Sequence, residues 1–182
     1  SPNFVGANAA KHSISLDLST DEGHKVLERL VATADIFVEN FRPGKMAKLG
    51  FSPERLAELN PDIVCCSISA WGQSGPLSPQ GGFDHVMQAA TGMMMMQGDD
   101  HDAPPIKVGF PVIDMATGMQ AALAVMAGLM RRRGGFQGPI DIDVSMADAA
   151  LFLMAPMAVQ HFFGGPVPMR VGNRGFVASP GS

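Results

Sequence analysis

Few residues in this 182-residue chain have both the type and the placement to do chemistry, and Asp114 is the foremost. It follows the loop KVGFPVI and precedes ATGMQAALAVMAGLM, where a long helix begins, so its carboxylate is expected near exposed backbone N–H groups. That position favours an ionised, nucleophilic carboxylate. Such a group attacks an acyl thioester to give a mixed anhydride and a free thiolate, splitting one hard exchange into easier steps. The competing reading is an ordinary helix N-cap, the commonest duty of aspartate at a helix start.

A second cluster lies in VENFRPGKMAKLG, which places Arg42, Lys45 and Lys48 in one short stretch after a strand. Cations there suit the phosphates of a coenzyme A-like ligand, with loop and helix N–H groups as further donors, or else form a solvated basic turn with a Pro-Gly bend. Trp71 and Phe83 are candidate walls of an acyl pocket, and core packing accounts for them equally well. His12, His24, His85, His101 and His161 are scattered. The chain contains no P-loop, GxGxxG fingerprint, HExxH or metal-ligand cluster, so no metal site is expected.

These residues need elements to position them. ISLDL at 14–18 alternates as a half-buried strand does, and Ser19 or Thr20 then caps a helix over DEGHKVLERLVATA. DIFVE at 35–39 reads as the next strand. SPERLAELNP reads as a helix with Ser52 as N-cap and Pro53 at its first position, and DIVCCSIS as a further strand. WGQSGPLSPQGGFD is a loop, Phe83–Met96 a buried helix whose MMMM run fills the core, and Val112 to Arg132 the long apolar helix. IDIDVS is a last strand, and Met146 to Phe163 a final helix. Strands alternating with helices imply parallel βαβ units: an α/β, Rossmann-like open parallel sheet with flanking helices and ligand loops at the strands' carboxyl ends.

Composition bounds the function. With 46% hydrophobic and 16% charged residues the chain reads as one soluble globular domain or most of one, and a net charge of −4 argues against nucleic acid or an anionic membrane. Apolar stretches such as Met119 to Met130 are shorter than about 20 residues, so no membrane span is expected. The adjacent Cys65 and Cys66 suit reduced, buried thiols and a cytoplasmic setting.

Taken in order, KHSISLDLSTDEGHKVLERLVATADIFVENFRPGKMAKLGFSPERLAELNPDIVCCSISAWGQSGP, GGFDHVMQAATGMM, PPIKVGFPVIDMATGMQAALAVMAGLMRRR and IDIDVSMADAAL resemble the class III coenzyme A transferases, the CaiB/BaiF family. The resemblance covers nearly the whole chain. It implies Asp114 as the acyl-carrying nucleophile, and coenzyme A contacts at Leu16, Asn40, Phe41, Lys48 and Met146, with Arg42 and Lys45 added from charge and place in the loop. It further implies transfer of coenzyme A between an acyl-CoA thioester and a carboxylic acid through an aspartyl anhydride or thioester, with no permanently bound cofactor. The expected assembly is an interlocked homodimer. Residues 1–182 would be the large domain without its first strand units, the small domain or the Gly-rich loop that covers the nucleophile. Lys11-His12 departs from the family's Lys-Arg pair. Racemases of 2-methylacyl-CoA share the fold, but carry histidine where this chain has Phe83, and His85 is expected to face elsewhere. A non-catalytic coenzyme A-binding fragment is the remaining alternative.

Overall fold

The computed structural model describes residues 2–99 and 102–172. Along the chain run α1 (Pro2–Ala7), α2 (Asp21–Val31), β1 (Ile36–Glu39), α3 (Lys45–Lys48), α4 (Pro53–Leu59), β2 (Val64–Ser69), α5 (Asp84–Ala90), α6 (Val112–Arg133), β3 (Ile140–Ser145), α7 (Met146–Leu153) and α8 (Ala155–Phe162). A 3-10 turn over Met93–Met96 follows α5.

The helix starts obey local chemistry. Thr20 accepts a hydrogen bond from the Gly23 N–H and Ser52 from the Arg55 N–H, so each hydroxyl satisfies one donor that its helix leaves open. At the far end of α2, Asn60 Nδ2 donates to the carbonyls of Val31 and Ala34, tying α2 to the end of α4. Ser145 caps α7 by accepting from the Asp148 N–H.

The sheet is parallel in the order β1-β2-β3, with Val64 paired to Ile36 on one side and Ile140 on the other. β2 is central, and its VCCSIS run reads as nearly continuous apolar sequence because both faces are covered. Side chains alternate across a strand, so the adjacent cysteines part company. Cys65 joins Val31, Met46, Phe51, Leu56 and Ile63 under α2 and α4, whereas Cys66 joins Ala121, Val125 and Val144 under α6. Both are free thiols, and burial pushes the Cys65 thiol up to about 12.

α6 lies close on β2 and β3 because Gly128 has no side chain. A β-carbon there would stand 3.2 Å from Val64 Cγ1 and 3.5 Å from Ile140 Cγ2.

Four expectations need correction. Residues 14–18 form no strand: the segment has no regular secondary structure and enters a turn at Leu18, Ile14 is exposed, and no described strand pairs with it, so its alternation has no ladder to complete. Phe83–Met96 is not one buried helix, because Gly92 at φ 83 ends α5 and starts the 3-10 turn; Met93 is buried there while Met95 is exposed. Met146 to Phe163 is two helices that part at Met154, and the second buries none of its residues. Finally, α6 runs 22 residues and is long and apolar enough, by length and composition, to cross a membrane. The core helix of a sheet passes the same test, and here one face of α6 packs on β2 and β3.

Candidate active site

The carboxyl ends of all three strands open onto one cleft. Asn40, Phe41 and Arg42 follow β1, Ser69 and Ala70 end β2, and Met146 follows β3. The cleft holds about 670 Å³ and is closed on its far side by Gly81, Gly82 and Phe83, and by Asp114, Thr117 and Gly118 from the first two turns of α6. In a parallel sheet this edge is where ligands bind, since the connecting loops cluster there.

Glycine shapes this wall. A β-carbon on Gly81 would sit 3.1 Å from Arg42 Nη2, so the guanidinium rests against bare backbone. One on Gly82 would come within 2.7 Å of Met87 Sδ and 2.8 Å of Ala70 Cβ, so the loop before α5 reaches the core only without a side chain. Phe83, at the next position, is 71% exposed and stacks on His85 with ring centroids 6.2 Å apart. Ser69 presents on the same cleft a buried hydroxyl with no hydrogen-bond partner among the described residues. An orphaned polar group of this kind is costly unless something in the cleft pairs with it.

Asp114 stands in the first turn of α6, two residues past its first residue, and is not the N-cap. The capping is done from another element. Asp84 Oδ2 accepts the N–H of Ile113 at 2.8 Å and that of Asp114 at 3.0 Å, across 29 and 30 positions of sequence. Its other oxygen accepts from Gln88 Nε2, and Gln88 Oε1 accepts the Val108 N–H at 2.8 Å. Thr117 Oγ1 donates to the Ile113 carbonyl, completing a fixed first turn. With its helix already capped, the Asp114 carboxylate makes no hydrogen bond or ion pair among the described residues and lies on the cleft wall.

The electrostatics correct one expectation. Proximity to a helix N-terminus favours the ionised form, yet the Asp114 pKa is raised. The cleft walls strip part of its hydration although solvent reaches the residue, and the nearby Asp84 charge adds to the effect while His85 opposes it. A more basic carboxylate is a better nucleophile once ionised. His85 is exposed on α5, stacks on Phe83 and does not line the cleft, as expected.

The remaining expected site residues divide. Asn40, Phe41, Arg42, Phe83 and Met146 share the cleft with Asp114. Lys45 and Lys48 are exposed on α3 and do not line it, and neither does the half-buried Leu16. Trp71 is drawn away, because it packs on the cluster of Ala70, Met87, Met93 and Ile113, with its Nε1 buried and unpartnered. Asp84 and Gln88 escaped the reading of the sequence. Their signal is two polar residues four apart on the buried face of DHVMQAA, where an apolar pair would be ordinary. No group of side chains able to hold a metal ion exists among the described residues.

The family model for CoA-transferase family III matches residues 1–182. Succinate–glutarate CoA-transferase of Agrobacterium fabrum is 36% identical over 170 residues, which are 93% of this chain and 42% of that protein. Succinyl-CoA:glutarate CoA-transferase of Homo sapiens is 33% identical over 161 residues, 88% of this chain and 36% of that protein. Among solved structures, a CaiB/BaiF family protein from Brucella suis superposes with a TM-score of 0.85 at 35% identity, covering 91% of this chain and 43% of that one. The chain thus spans about two fifths of the length of the relatives it matches. With the whole chain matched and an open parallel sheet in common, this protein belongs to the class III CoA-transferases, the CaiB/BaiF family.

Proposed function

We propose that the protein moves coenzyme A from an acyl-CoA thioester to a carboxylic acid, with Asp114 as the covalent carrier. The single observation that supports this most is a carboxylate relieved of capping duty and left unpaired on an open cleft. In the first step an Asp114 oxygen bonds to the thioester carbonyl carbon, the C–S bond breaks, and the thiolate leaves. The thiolate then attacks the aspartyl carbonyl of the anhydride and releases the first carboxylate. The acceptor carboxylate attacks the resulting aspartyl thioester, expelling the thiolate. Attack of that thiolate on the new acyl group frees Asp114. Every step conserves electrons, so none requires a redox group.

Arg42 supplies positive charge to phosphate oxygens, and the Ser69 hydroxyl supplies a donor within the cleft. Lys45, Lys48 and Leu16 keep a coenzyme A role in this reading only if the ligand runs beyond the cleft along α3 and the irregular segment before α2. Among the described residues no acid–base histidine lines the cleft where Phe83 stands, which favours transfer over racemisation.

Pairing of two chains is part of the same proposal. Met115, Met119, Leu123, Met126 and Met130 form an exposed apolar stripe along α6 at helical spacing, the kind of surface that a second copy covers. The buried free thiols suit a reducing, cytoplasmic setting.

The experiment is exchange of label between an acyl-CoA and a carboxylic acid by the full-length enzyme, with hydroxylamine to trap the acyl-aspartate. Asp114→Asn should reduce exchange to background and leave nothing to trap. Exchange that survives in Asp114→Asn refutes the assignment. Loss of the C2 proton without exchange identifies a racemase, and coenzyme A binding with neither reaction identifies a binding fragment.

A further inference from the structure

Helix α6 begins with two backbone donors, the N–H groups of Ile113 and Asp114, and a carboxylate of its own in the same turn. An aspartate so placed ordinarily turns back onto those donors, because free N–H groups at a helix start seek an anionic acceptor. Here they are already taken by one oxygen of Asp84, a buried carboxylate on a different helix. Asp84 is itself locked. Gln88, fully buried, donates to its second oxygen and is held by the Val108 N–H on the loop before α6. The chain thus spends a buried acid and a buried amide on a task that a serine at position 111 would perform locally.

We propose that Asp84 is a positioning residue for Asp114: by occupying the α6 N-terminal donors it denies them to the Asp114 carboxylate and holds that carboxylate out on the cleft wall. The role rests on the reading of Asp114 as the acyl carrier, but its physical content does not. The titratable and charged groups about Asp114 are Asp84 and His85 on α5 and Arg42 on the loop after β1; β3 and α7 contribute only Met146 to that wall. Of these, Asp84 is the one that both bonds to the Asp114 backbone and repels its side chain. Removing the Asp84 charge therefore removes part of what raises the Asp114 pKa, so Asp114 titrates at lower pH.

The test is carboxyl-carbon NMR titration of Asp114 in the ligand-free chain, comparing wild type, Asp84→Asn and Gln88→Met. Asp84→Asn should shift the Asp114 titration to lower pH. Gln88→Met, which loosens the same clamp but keeps the charge, should leave it in place. Asp84→Ser, a neutral residue whose shorter side chain also gives up the α6 donors, supplies the measurement if the Asn variant does not fold, with a shift in the same direction. In the full-length enzyme Asp84→Asn should slow acyl-aspartate formation about tenfold or more while coenzyme A affinity changes less than about twofold, as expected when an interaction acts in the reaction and not in binding. An Asp114 titration identical in wild type and Asp84→Asn overturns the proposal, as does an equal shift in Gln88→Met. A titration shift in Asp84→Asn, together with a wild type that shows no acyl exchange, leaves Asp84's role standing and refutes only the transferase reading.

Discussion

Replacing Gln88 by methionine would cut the link between α5, the loop before α6 and the cap of α6. Methionine nearly matches glutamine in length and volume, so a cavity contributes little and the loss is one of hydrogen bonding. Two bonds go. The first runs from Nε2 to the buried Asp84 carboxylate, and losing a bond to a charged group costs about 1.5 to 3 kcal/mol. The second leaves the Val108 N–H without its acceptor, a cost of about 1 to 3 kcal/mol for a fully buried donor. Val108 is only half-buried, so water restores part of that cost and the lower end applies. The sum is about 3 kcal/mol, and for a chain of this length it lowers Tm by about 6 to 12 °C. Urea denaturation followed by circular dichroism measures it. Gln88→Glu tests the same geometry through pH. A carboxyl at this buried position beside Asp84 has its pKa raised, so its protonated form is favoured on folding. Stability is then intact below the free glutamate value of about 4.3 and falls as pH rises above it. A loss below about 0.5 kcal/mol for Gln88→Met, against the cost of even one buried bond, would refute the reasoning. So would a Gln88→Glu protein whose stability follows pH as the wild type does.

Two further perturbations follow from the packing. Gly128→Ala gains about 1 kcal/mol of helix propensity but must fit a methyl 3.2 Å from Val64 Cγ1, so the two effects should nearly cancel; Gly128→Leu should cost about 1 to 3 kcal/mol or more by overpacking the α6–sheet interface, both read from urea midpoints. The Cys65 thiol, raised to about 12 from an ordinary 9.0, holds its proton in the folded state while the unfolded chain gives it up. Stability should therefore be intact below pH 9 and decline above it, and Cys65→Ala should lessen that decline in denaturation measured from pH 8 to 10.5.

Local chemistry was legible in the residues alone. Thr20 and Ser52 cap their helices through bonds to residues three positions on, Pro53 opens α4, and Asn60-Pro61 ends it. Those interactions close within one turn of chain, so neighbouring residue types determine them. The alternation of strands and helices likewise dictated a parallel sheet, and hence a ligand edge where Asn40, Phe41, Arg42 and Met146 meet. Asp114 was found from its place at a helix start.

Tertiary structure alone decided what that place means. Whether Asp114 caps its own helix depends on Asp84, which arrives from 30 positions away, and no local pattern encodes that meeting. Trp71 left the cleft because a hydrophobic cluster claimed it, and ISLDL did not become a strand because pairing needs a neighbour alongside. Capping and amphipathic period are properties of a few adjacent residues. Lateral pairing, burial and the allocation of donors belong to whatever the fold brings together, so the nucleophile's freedom was settled only when α5 closed on the start of α6.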